Sequence, residues 1–109
     1  MSDAEHYTYR VRWSGEDGQF LGTVAEFPSL SWAADSSAEA FSGIRDLVAD
    51  VLADMIDALE EPPTALGDRS FSGRFLVRIP PELHRQLAIE AAEQQVSLNS
   101  LAATRLVGA

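Results

Sequence analysis

Arg74 and Arg78 stand in the stretch RFLVRI, residues 74–79, and on an extended chain both guanidinium groups share a face with Leu76. A guanidinium is a planar fork of donors. In the major groove of B-DNA it meets O6 and N7 of guanine with two hydrogen bonds, and a leucine there can meet the methyl of thymine. A ribbon of two such strands fits that groove and would present four guanidinium groups. The same spacing also suits an edge strand whose arginines only block aggregation, and taken alone it does not decide between the two. The rest of the sequence offers little reactive chemistry. Without cysteine, disulfides and thiolate metal sites are excluded, and His6 and His84 lie too far apart to suggest a ligand pair. No serine and histidine arrangement marks a nucleophile. No metal, cofactor or catalytic residue is expected.

The arginines need elements to hold them. Pro81 suits the first turn of a helix that runs to about Gln95, and Ser97 is a good N-cap for a second helix from Leu98 to about Val107. One strand and two helices are near the size at which an isolated chain buries too little surface, and a lone strand leaves both edges unpaired. Both problems vanish if two copies pair their strands antiparallel and interlock their helices. Phe75, Val77 and Ile79 then face inward onto Leu83, Leu87, Ile89, Leu98, Leu101 and Leu106, while Arg74, Leu76 and Arg78 face outward. With its segments RFLVRIP, PELHRQL and VSLNSL in this order, the tail resembles the ribbon-helix-helix family. The resemblance implies a homodimer, open to higher oligomers, that binds operator DNA. It places Arg74, Leu76 and Arg78 at the base-reading positions. It also implies that the backbone N–H groups of Leu98, Asn99 and Ser100 clamp a phosphate at a helix N-terminus.

The preceding part of the chain is of opposite character. Residues 1–67 carry three arginines against thirteen carboxylates, a balance of −10, whereas residues 68–109 carry five arginines against four, a balance of +1. That asymmetry suggests two different partners, one basic and one a candidate nucleic acid. In YTYRVRW, residues 7–13, Tyr7, Tyr9, Val11 and Trp13 share one face of a strand; SGEDG supplies a turn, QFLGTVAEF returns as a hairpin, and LSWAA gives a third strand. Ser36 with Glu39 fits a capping box. Phe41, Ile44, Val48, Val51, Met55 and Leu59 then recur every three or four residues, predicting one helix of about six turns over the sheet. Asp46, Asp50, Asp54 and Asp57 read as its solvated outer face. EEPPTALGDRSFSG ends that helix at two prolines and has the composition of a linker, which divides the chain into domains 1–67 and 68–109. No apolar run approaches the roughly 20 residues of a bilayer span and the first residues lack a signal peptide's features, so a cytoplasmic protein with no membrane partner is expected.

The run YRVRWSGEDGQFLGTVAEFPSLSWAADSSAEAF is similar to HicB antitoxins, in which a strand with a Ser-x-Glu-Asp turn, a second strand with a following Pro-x-x-Leu-like segment, and a capped helix with Glu-Ala occur in this order. With the tail, the similarity spans nearly the whole chain. It implies an α+β fold: a partial RNase H-like antiparallel sheet with one helix, then a dimeric ribbon-helix-helix. It also implies a type II antitoxin that neutralises HicA, a small basic RNA-cleaving toxin, by direct binding and represses its own operon through the tail. An acidic surface suits capture of a basic protein by electrostatic steering. Glu26, Phe27, Trp32 and Asp35, around an exposed edge at the third strand, are the candidate toxin contacts. Two other readings stand beside this one: a ribbon-helix-helix regulator whose N-terminal domain senses a small molecule, and a ribonuclease. The last needs carboxylates converging on divalent ions. The first strand has none in its interior, Glu16 and Asp17 lie in a turn, and the other acids are scattered, so no enzyme activity is expected.

Overall fold

Alternating side chains in the first part of the chain fold as three antiparallel strands, β1 (Tyr9–Ser14), β2 (Gln19–Val24) and β3 (Ser31–Ala34), in the order β1-β2-β3. The computed structural model describes residues 3–108 and is α+β, with helices α1 (Ser37–Asp57), α2 (Pro81–Gln94) and α3 (Leu98–Gly108). Tyr9, Val11 and Trp13 lie opposite Val24, Gly22 and Phe20, and the last two lie opposite Trp32 and Ala34 on β3. All eight share the face that α1 covers. Glycine is required where helix and sheet come closest: a Cβ on Gly22 would sit 2.7 Å from the Ala40 carbonyl oxygen, and one on Gly43 would fall within the Trp32 ring. The chain divides into two compact units, Met1–Phe71 and Ser72–Ala109.

Helix α1 begins as its sequence predicts, with Ser36 Oγ accepting the Glu39 N–H at 3.1 Å. Its buried row is Ala40, Ile44, Val48 and Leu52, one residue in four. The expected stripe differs in detail. Phe41 lies on the flank, edge-on to Tyr9 at 5.8 Å with the Arg45 guanidinium 5.6 Å from its ring centre, while Val51 and Met55 are half-buried. Leu59 is 94% exposed because the helix has already ended. The Leu59 N–H returns to the Ile56 carbonyl at 3.1 Å and the Glu60 N–H to that of Met55 at 2.8 Å, with Leu59 at φ 58° between them. This is a Schellman turn, and it stops the helix before the prolines are reached.

The core joins Tyr7, Val24, Ile44, Val48, Leu52 and Ala65. Each large aliphatic side chain fully buried here contributes on the order of 2 kcal/mol. Tyr7 precedes β1, and its hydroxyl donates to the Pro63 carbonyl at 2.7 Å. The segment expected to be a linker is therefore a strap. Ala65 is fully buried, the Leu66 N–H donates to Glu26 at 2.9 Å, and Asp68 meets His6 Nδ1 at 3.0 Å. Composition reports local backbone preference; it cannot report that one alanine methyl fills a gap in the core.

In the second unit, Pro81 opens α2, and Ser97 Oγ accepts the Ser100 N–H at 3.0 Å to cap α3. The two helices bury only Ala91 and Leu101, and Arg105 pairs with Glu90 across them. Residues 71–80 have no regular secondary structure, so the strand expected at 74–79 is not formed by the single chain. A ladder needs two strands, and this unit contains no other among its described residues.

Candidate functional site

The tail places its candidate DNA-reading residues in the open. Arg74, Leu76 and Arg78 are exposed, Leu76 at 89%, and Ser72 Oγ steadies the turn before them by accepting the Arg74 N–H at 3.1 Å. The residues expected to form a dimer core are uncovered as well: Phe75 is 74% exposed, Val77 59% and Ile79 37%. Leu83, Ile89 and Leu106 on the helices are also exposed, whereas Leu87 and Leu98 are half-buried and Leu101 is buried. A single tail thus leaves an apolar surface that its own helices do not cover. At the start of α3 the three expected phosphate donors are not equivalent. The Ser100 N–H is taken by Ser97 Oγ, whose hydroxyl is also 2.8 Å from Ser100 Oγ, so Leu98 and Asn99 are the first donors a phosphate would meet.

Residues 58–106 match the HicB family model. The matched stretch is somewhat less than half of the chain and holds the strap, the unpaired segment and both tail helices. Over this stretch the chain is similar to the HicB family. The residues that carried the likeness of the body to HicB lie outside it. No curated protein and no solved structure matches the chain.

In the body, the four candidate toxin contacts separate into two kinds. The Glu26 carboxylate accepts the Thr8 N–H at 2.9 Å, the Thr8 hydroxyl at 3.0 Å and the Leu66 N–H at 2.9 Å. Burial alone would push this carboxyl up, but the N–H donors of Leu66 and Thr8 and the Thr8 hydroxyl outweigh it and hold the group below its ordinary value. Phe27 is half-buried and packs edge-on against Tyr7 at 5.3 Å. Both are engaged in holding the unit together. Trp32 is 45% exposed with its ring across Gly43, and Asp35 is exposed, accepting a bond from Gln19 Nε2 at 3.2 Å. Asp46, Asp50, Asp54 and Asp57 are all exposed along α1, as their spacing predicts. The Glu26 clamp has no sequence signal, since its partners stand 18 and 40 positions away. Among the described residues no three of His, Cys, Asp or Glu converge as metal ligands, and no helix is long and apolar enough to cross a membrane.

Proposed function

We propose that this protein belongs to the HicB family and is the antitoxin of a type II toxin–antitoxin pair, acting by binding and not by catalysis. Its tail pairs with that of a second copy as a ribbon-helix-helix, and its body binds a small basic RNA-cleaving toxin of the HicA kind. The observation that carries this reading is the apolar segment Phe75, Val77 and Ile79, exposed in the single chain and lying inside the family match. Such a surface is costly in water unless covered, and a second identical strand covers it while pairing its edge.

In the paired state Arg74, Leu76 and Arg78 of each copy face the major groove, and the N–H groups of Leu98 and Asn99, with Ser100 released from its cap, hold a phosphate. The body's three strands followed by a helix agree with a partial RNase H-like fold. Its acidic balance draws a basic toxin, and exposed Asp35 with the aspartate row of α1 forms the docking surface. Glu26 and Phe27 act there only indirectly, by shaping the unit. The deciding experiment is to coexpress the chain, tagged, with the product of the neighbouring short reading frame. Joint purification and restored growth are expected, and a chain that purifies alone while the toxin still arrests growth would refute the reading.

A further inference from the structure

The two edges of the sheet are built differently. On the face of β1 turned away from α1 stand Arg10 and Arg12, both exposed and neither in an ion pair among the described residues. Pairing β1 with another β1 would set arginines against one another across the ladder. β3 reads Ser-Trp-Ala-Ala, without charge or proline, exposed at three of four positions, and among the described residues nothing pairs on its outer side. An edge lacking such guards is a template for a further strand. We propose that β3 pairs antiparallel with β3 of a second copy, so that two bodies share one continuous sheet.

The register follows from the ladder already present. The Ala25 N–H donates to the Thr8 carbonyl at 2.9 Å, which sets the phase: Ala25 turns its backbone groups toward the first strand, Gly22 turns its own toward β3, and Trp32 answers Gly22. The N–H and C=O of Ser31 and Ala33 therefore point outward. With a two-fold axis at Trp32, Ser31 of each copy exchanges hydrogen bonds with Ala33 of the other, and both α1 helices stay on the same face of the sheet. Trp32 then meets Trp32 of the second copy as an unbonded pair, where Cα atoms approach to about 4.5 Å and aromatic partners are favoured. No charged side chain enters this ladder, so no like charges oppose one another across it. A basic partner gains nothing from a neutral edge. The arrangement is isologous and closes at two copies, leaving the sheet with only its arginine-guarded edges.

The chain has no cysteine, so introduced thiols report the register directly. In the full-length protein, Ser31→Cys combined with Ala33→Cys sets thiols opposite each other at about 5.5 Å between Cα atoms, within disulfide reach. Mild oxidation should convert most of the double variant to a covalent dimer on a non-reducing gel, while each single variant stays mainly uncrosslinked. Ala33→Pro removes an outward donor that β2 does not use, and should halve the mass seen by sedimentation with the circular dichroism unchanged. Repeating both in a Val77→Asp background removes pairing through the tail, so failure of the tail reading and failure of this one give different masses. A folded double-cysteine chain that stays uncrosslinked, or crosslinks no better than the single variants, overturns the proposal. So does protection of these cysteines from alkylation only when a basic partner protein is added, which assigns the edge to that partner.

Discussion

The Glu26 carboxylate gathers donors from Thr8 and Leu66, so one side chain ties the start of β1 to the strap that closes the first unit. Glu26→Gln keeps the size but gives up the charge-assisted bonds, and should destabilise the unit by about 1–2 kcal/mol at neutral pH. The sign with pH follows from the direction of the shift. A carboxyl held below its ordinary value stabilises the fold above the unfolded value and loses that contribution as pH falls through the folded one. Melting curves of the two proteins should therefore converge on acidification; a gap that stays constant would mean that the charge of Glu26 is not what matters. Leu59 makes a simpler case. It is exposed and sits at φ 58°, where a side chain is strained and glycine is not, so Leu59→Gly should raise the melting temperature by the equivalent of a few tenths to about 1 kcal/mol, after the entropy glycine adds to the unfolded chain. Arg78, exposed and free of ion pairs among the described residues, should contribute only to operator binding. Arg78→Ala should cost about 1–3 kcal/mol in a gel-shift titration with the fold unchanged.

At the scale of elements, what was legible were the features that carry local chemistry. Alternation in YTYRVRW and QFLGTVAEF gave the hairpin, Ser36 and Ser97 gave two helix starts, and Pro81 gave the third. The end of α1 was misplaced because a leucine, not a glycine, occupies the left-handed position of its final turn. The strap was misread because its bonds to Tyr7, Glu26 and His6 join residues far apart in sequence. The candidate ribbon shows the opposite gap: its pattern is plain in RFLVRI, yet residues 71–80 form no strand, since the second unit offers no ladder partner among its described residues. Val77→Asp would place an unpaired charge in the proposed shared core and, combined with Ala33→Pro to remove pairing through β3, should leave a monomer in sedimentation. An unchanged mass would mean that neither surface holds the copies together.

Across the whole molecule the chain keeps its acidic charge in the first unit and the exposed apolar run Phe75, Val77 and Ile79 in the second. The strap through Asp68 belongs to the first unit, so a chain ending at Phe71 retains the His6 and Asp68 contact and the Glu26 clamp, and should fold. It should bind the toxin with an affinity that falls as salt screens the acidic face, and rescue growth without repressing the operon. A folded truncation that fails to bind purified toxin would mean the neutralising surface includes the tail. The uncovered segment from Ser72 to Pro80 also sets a lifetime. Proteases need several residues of accessible, unstructured chain, and an unpaired copy offers nine of them at the start of the second unit, rich in large apolar side chains. The proposed pairing of tails would remove that offer, so the rate of turnover should fall as the protein becomes more abundant, and a cell that stops making this protein should lose its remaining copies at an accelerating pace.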